Sequence, residues 1–382
     1  MIALMTHNLT QRFHLAPVLR GDEVRFKNMV RSLVRLRKFY KAEKKSVVTL
    51  PLRKRLRSLC LGFYSRSYVL YDLDRNDHRL YLQDAKYLYY TANDPHFPSI
   101  RNKLSFTRLM ENYGLPHPRS MGFLHKGHFY SFDDEAVPSG RDLHRSCRSL
   151  VGLSEGLVFK PVAEGAGAGI LLVRGHGNGL TVNGTSATLD ELVMVLATVE
   201  HYYVTPFVEQ AAYARELYAS TPNTVRLLSV WDYQKNEPFV AAAAHRIGMQ
   251  RSFPVDNFHQ GRGGLSAAID VATGALGPGI TFDQDMQLTR LVNHPETGAR
   301  IEGVVVPFWE DTCQKLMEFC ARLPHVPTIG LDLIITEQGC SVLEANCPPG
   351  VAVWQVHGPL LADPRVRRCY EEMGILKPAK IR

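Results

Sequence analysis

Gly330-Leu-Asp-Leu-Ile-Ile-Thr-Glu-Gln-Gly-Cys-Ser-Val-Leu-Glu-Ala-Asn-Cys-Pro-Pro-Gly350 is the stretch around which the chain is organised. Leu331 to Thr336 is rich in strand formers, and Ser341 to Leu343 continues in kind. Glu337-Gln338-Gly339 between them is a turn signal, with Gly339 free to take a positive φ. A hairpin folding about Gln338 sets Asp332 opposite Glu344. Alternation along the strand then places Glu344 and Asn346 on that same face. Two carboxylates and an amide oxygen converge there, and the stretch holds no Lys or Arg to pair with them. Oxygen donors of this kind suit Mg²⁺, whose octahedron a nucleotide's phosphates can complete. Like charges this close are otherwise costly. A surface hairpin could carry the same acids, but Leu331, Leu333, Ile335, Val342 and Leu343 argue for a buried setting. Asn346-Cys347-Pro348-Pro349-Gly350 makes a stiff turn after the last donor.

Working back towards the N-terminus, Pro307 starts a helix with Trp309, Leu316, Phe319, Cys320 and Leu323 on one apolar stripe. Asp256 to Gly264 is a polar, glycine-rich loop containing Asn257. Phe239 to Ala244 reads as a strand closed by His245-Arg246, and Asn223 to Val230 as another with Arg226 in its middle. A buried strand arginine is uncommon unless it is paired or faces a ligand. Tyr202 to Val208 is a strand leading into Glu209-Gln210. Thr188 with Glu191 forms a capping box for a helix to Val199. Leu157-Val158-Phe159-Lys160 is a strand stopped by Pro161, and Ile170 to Val173 a second one. Between them lies Glu164-Gly165-Ala166-Gly167-Ala168-Gly169, a flap whose backbone N–H groups can face phosphates. Loose hairpin turns share that composition, so the glycines alone do not decide. Lys160 stands where strand meets loop, placed to contact a phosphate as a point charge. Asn102 to Met110 reads as an amphipathic helix ending at Gly114, with Lys103 near its start.

At 382 residues the chain has room for two or three domains. Its 45% apolar and 21% charged content is that of an ordinary soluble globular protein. No apolar run approaches the roughly 20 residues needed to span a bilayer, and no signal peptide is evident. The seven scattered cysteines contain no Cys-x-x-Cys pair and read as reduced thiols. The net charge of +8 is concentrated: residues 1–66 hold 16 Lys or Arg against 3 Asp or Glu. That segment reads as helical and basic, with one helix through Val30, Leu33, Val34, Leu36 and Phe39 and a second over Leu52 to Leu61. Such a surface suits lipid headgroups, acidic polysaccharide or nucleic acid, or is a solvated face. No base-reading motif accompanies it, which excludes sequence-specific nucleic acid. Tyr64 to Tyr90 is tyrosine-rich, with Val69-Leu70 and Leu80-Tyr81-Leu82 as strand-like pieces, and Asn93 to Pro98 reads as a linker. The location expected is cytoplasmic, peripheral at the inner face of the membrane if the basic segment meets lipid.

The ordered set Lys103, Lys160 with its glycine flap, Glu209, Arg226, Asn257, Asp332, Glu344 and Asn346 resembles the ATP-grasp superfamily of carboxylate–amine ligases. Within it the chain is most similar to the sugar-transfer-associated branch, through Asn102-Lys103-Leu104-Ser105-Phe106, Asn223-Thr224-Val225-Arg226, Asp256 to Gly261 and Leu343-Glu344-Ala345-Asn346. The resemblance covers about residues 96–376 and implies an α/β (α+β) fold. It divides the chain into an atypical N-terminal domain (1–95), a flap subdomain (96–207) and a C-terminal subdomain with the metal site (208–382). It implies ATP held by Lys103, Lys160, Gly165, Gly167, Gly169, Glu209 and Gln210. It implies two Mg²⁺ ions, with Mn²⁺ as the alternative, on Asp332, Glu344 and Asn346, and chemistry assisted by Arg226, Arg246 and Asn257. The implied reaction joins a carboxylate, activated as acyl-phosphate, to an amine; either substrate could be sugar-linked. The alternatives are phosphotransfer to a hydroxyl and a non-catalytic nucleotide-binding scaffold.

Overall fold

Val225 opens the strand that carries Arg226: β8 (Val225–Asp232) lies inside a seven-stranded antiparallel sheet. The computed structural model describes residues 37, 39–41, 43, 44, 48–90, 97–154, 156–163, 167, 169–176, 179–283 and 287–377. Gly165, the helix through Val30 to Leu36 and most of the Asn93 linker lie outside the described residues.

The large sheet runs β12-β11-β10-β9-β8-β13-β14. Its members are β9 (Glu237–Ile247), β10 (Leu265–Ile269), β11 (Leu276–Phe282), β12 (Leu288–Leu291), β13 (Thr328–Thr336) and β14 (Gly339–Asn346). A second antiparallel sheet, order β2-β1-β7-β3-β4-β5-β6, forms the flap side. It comprises β1 (Gly122–His125), β2 (His128–Ser131), β3 (Gly156–Pro161), β4 (Leu171–His176), β5 (Gly179–Val182), β6 (Thr185–Ala187) and β7 (Tyr202–Pro206). Two helices, Leu143–Leu153 and Leu189–Thr198, back this sheet around Leu150, Phe159, Leu192 and Leu196. Thr188 and Glu191 cap the second helix reciprocally, as the sequence predicts.

The large sheet is covered on both faces, which explains its nearly uninterrupted apolar strands. On one face the helix Trp309–Ala321 packs with the helix Lys103–Asn112, Phe106 meeting Phe319 edge-on at 5.9 Å. The segment assigned to the flap subdomain from about residue 96 therefore begins inside the core of the larger sheet. The backbone N–H of Val342 donates to Pro116, tying that segment to β14.

The other face is covered by Phe63, Tyr68, Leu70, Tyr71, Leu73, Tyr81 and Leu82 together with Val366 and Tyr370 of the helix Pro364–Glu372. The strand-like pieces expected here are corrected: Val69-Leu70 ends the helix Ser65–Leu70, and Leu80 ends a 3₁₀ turn, His78–Leu80. Aromatic side chains favour strands only where a partner strand offers a pleated surface. Here they fill the sheet's outer face, each large apolar group adding about 1.5–3 kcal/mol by burial. The basic helix is Leu52–Cys60. Three of its cations find acids: Lys54 and Arg57 approach Asp74, and Arg55 meets the buried Glu43. Among the described residues no helix is long and apolar enough to cross a membrane.

Candidate active site

The β13–β14 hairpin turns at Glu337-Gln338, with Thr336 opposite Gly339. That register alone would put Asp332 opposite Leu343. A bulge corrects it: Leu333 faces Val342 but Asp332 faces Glu344, so Leu343 is the extra residue. The bulge turns Leu343 and Glu344 both towards the cleft, while Val342 and Ala345 remain in the core.

The cleft is a cavity of about 710 Å³ between the two sheets. Val158 and Leu172 from the flap sheet and Ile334 and Leu343 from the large sheet give it apolar surface, and Lys103, Lys160, Arg226, Arg246, Asp332, Glu344, Asn346 and Asn257 bring charge and polarity to it. The volume and mixed lining suit a small-molecule site.

Asp332 is almost wholly buried, and the cations that the hairpin stretch itself lacks reach its acids from elsewhere in the chain. Arg226, directly across the β8–β13 ladder, sets Nε 3.0 Å from Oδ1, an ion pair whose N–H is not aimed as a hydrogen bond. Arg246 on β9 donates from Nη2 to Oδ2 at 3.0 Å. Arg246 also donates to Thr224 Oγ1 and lies 3.7 Å from Asp256, which accepts the N–H and hydroxyl of Thr224. Lys103 Nζ lies 3.3 Å from Glu344 Oε2. Burial works against the Glu344 carboxylate, yet Lys103, Lys160, Arg226 and Arg246 together hold its pKa below the ordinary range.

Lys160 differs. It is 7% exposed, projects over the Tyr203 ring at 5.1 Å and is in no ion pair among the described residues. Burial lowers its pKa to about 8, with Glu344 opposing and Lys103 adding to the fall. Lys103 is the first residue of its helix, after the Asn102 cap that accepts from Ser105 N–H.

Gly167 lines the cavity at φ 72°, where a Cβ would meet Val255 at 3.0 Å. Gly169, at φ 73°, approaches the Tyr202 hydroxyl too closely to admit a side chain. Three expected nucleotide residues are not in the lining: Gly169, Glu209 and Gln210. Glu209 is exposed and pairs with Arg174 at 3.5 Å. Gln210 is buried and spent on backbone: its Nε2 donates to Thr221 O at 2.9 Å and its Oε1 accepts from Asn223 N–H at 2.8 Å. It anchors the entry to β8. An amide and a carboxylate after a strand do not reveal which one the chain turns outward. Thr224 and Asp256 were legible as part of a motif, but nothing local marks Asp256 as the group that holds Thr224 beside Arg246.

The donor set fits a divalent cation that nucleotide phosphates also hold. Its donors are all oxygen, Glu344 is ionised and a quarter exposed, and Asn346 donates weakly to Glu344 at 3.4 Å, leaving its carbonyl oxygen for another partner. Among the described residues no three His, Cys, Asp or Glu side chains make a metal cage, and Asp332 is already neutralised by two guanidinium groups.

No curated protein matches significantly. Among solved structures the chain is similar to an ADP complex of N5-carboxyaminoimidazole ribonucleotide synthetase, at 12% identity over 70% of this chain and 48% of that one, TM-score 0.38. It is similar to biotin carboxylase from Campylobacter jejuni, at 10% identity over 74% and 48%, TM-score 0.40. It is similar to D-alanyl-alanine synthetase A from Vibrio cholerae, at 9% identity over 71% and 65%, TM-score 0.42. The chain spans about half the length of the first two. The model of the family described as sugar-transfer associated ATP-grasp matches residues 83–368, from the tyrosine-rich segment through the hairpin to the last helix. The chain therefore belongs to the sugar-transfer-associated ATP-grasp family and has its α+β fold.

Proposed function

We propose that the protein is an ATP-dependent ligase that activates a carboxylate as an acyl-phosphate and joins it to an amine. The observation that carries this reading is the meeting of Lys103, Lys160, Arg226 and Arg246 with Glu344 and Asn346 in one cavity. Lys103 and Lys160 face the phosphates and neutralise charge that spreads over the transferring group. Lys160, buried without an acid of its own, gains most from an anion at that position. Asp332 holds Arg226 and Arg246 in fixed orientation, so their remaining N–H groups can steady the acyl-phosphate without reorganisation. Glu344 and Asn346 would hold Mg²⁺, which when bound would screen the two anions that must approach one another. The flat base lies between Val158 and Leu172 of the flap sheet and Ile334 and Leu343 of the large sheet, and Gly167 lets the flap backbone come close to the phosphates.

The test is incubation with MgATP and pooled uronic acids, amino acids and amines, reading phosphate release and new masses together. An amide product with free phosphate is expected. A stable phosphorylated product would instead identify a phosphotransferase, and nucleotide binding without turnover a scaffold. Glu344→Gln, nearly isosteric, should lower turnover at least 100-fold with folding intact; retention within about threefold would remove Glu344 from the reaction.

A further inference from the structure

Part of the cavity is built by residues upstream of the family match. Val48 and Arg66 line it, although the matched region begins at residue 83. Arg66 belongs to the helix Ser65–Leu70, which packs against the turn His259–Gly261 and the helix Ala352–Gln355. That packing brings Arg66 to the same end of the cavity as His259, Arg262 and Val353, all of which also line it.

The charges lining the whole cavity are unbalanced. Six Lys or Arg side chains line the cavity against three acids. Asp332 is taken by Arg226 and Arg246, Asp256 by Arg246 and Thr224, and Glu344 by Lys103. Arg66 and Arg262 enter no ion pair among the described residues. The acid that feels Arg66 is Asp84, which accepts the Tyr64 N–H at 2.9 Å and makes no ion pair with Arg66. Arg66 is further steadied by stacking over the Tyr64 ring at 4.7 Å. A guanidinium fixed by an aromatic face and left facing a cavity is suited to a carboxylate or phosphate.

We propose that this end of the cavity is the acceptor subsite, and that it takes a substrate carrying an anionic group, phosphate or carboxylate, in addition to the group that reacts. Arg66 and Arg262 clasp that group, and His259 lies beside it. The proposal rests on the ligase reading for which end holds nucleotide, but its binding test does not need turnover.

The experiment is calorimetric titration of the full chain with a ring-matched trio, glucose 6-phosphate, glucuronate and glucose, with and without saturating MgADP. At least one anion should bind in the presence of MgADP, and glucose at least tenfold more weakly. Whichever anion binds better identifies phosphate or carboxylate as the recognised group. Arg66→Gln and Arg262→Gln should each weaken the anion at least fivefold and leave MgADP affinity within twofold, with Arg66→Lys partly restoring it. No anion binding by the wild type, equal binding of glucose, or an unchanged anion affinity in both Gln variants would overturn the proposal. A tenfold loss of MgADP affinity in Arg66→Gln would overturn it as well, by placing Arg66 on the nucleotide. If MgADP fails to bind the wild type while the anion titrations behave as expected, the ligase reading fails and the anion site stands.

Discussion

The two walls of the cavity solve the same electrostatic problem differently. On the large sheet, Arg226 and Arg246 grip Asp332 from neighbouring strands and Asp256 lies beside Arg246, so these arginines find their counter-charges on their own wall before any ligand arrives. On the flap sheet, Lys160 is buried beside a tyrosine ring, and the acid that chiefly offsets it, Glu344, belongs to the opposite wall. A buried charge without its own counter-ion costs stability. One wall is a preorganised clamp, and the other stores strain that an anion in the cleft relieves.

The sharpest way to break this comparison is to unbalance the balanced wall. Asp332→Asn leaves Arg226 buried without a carboxylate and Arg246 with Asp256 alone, and should cost about 3–5 kcal/mol of stability in denaturant unfolding. A loss below about 1 kcal/mol would mean the clamp is not a structural ion triad. Lys160→Met acts on the other wall and should do the reverse. Apo stability should be equal or higher, while kcat/KM for MgATP falls by an amount worth about 2–4 kcal/mol. Thermal unfolding with and without MgATP separates the two effects: the nucleotide-induced rise in Tm should shrink. An earlier apo transition with a full nucleotide shift would make Lys160 structural.

The same contrast can be read by pH. Lys160 titrates near 8 in the folded protein, against its ordinary 10.5. Between those values the unfolded chain holds the extra proton, so the apo protein gains stability as pH rises through this window, and the full cost of the buried charge is present below about 8. The gain is at most about 3 kcal/mol, and Lys160→Met should lack it. An identical pH profile in the variant would discard the depressed lysine. The smallest effect belongs outside the cavity. Glu209 and Arg174 form an exposed pair of the kind worth at most about 1 kcal/mol. Glu209→Gln should therefore change MgATP affinity less than about threefold, and a tenfold loss would bring Glu209 back to the nucleotide.

The chemistry of the hairpin was legible because it is local. Alternation, a turn signal and the residue types Asp332, Glu344 and Asn346 suffice to bring three oxygen donors together, and the strand-loop-strand around Lys160 follows from short-range pattern in the same way. Even there, the predicted register holds at Asp332 because of a bulge at Leu343 that the pattern does not announce. The partners of Asp332 were out of reach. Arg226 and Arg246 lie more than 80 residues upstream, and their arrival depends on strand order, β9-β8-β13, which sheet burial decides and periodicity cannot encode. Tyrosine density showed that residues 64–90 would pack, but not against what. The choice of the large sheet's outer face, made because that face would otherwise stay apolar and wet, is what carries Arg66 from the chain's basic beginning into the cavity. Side-chain identity set what each residue could do; long-range burial of apolar surface set which residues it would do it with.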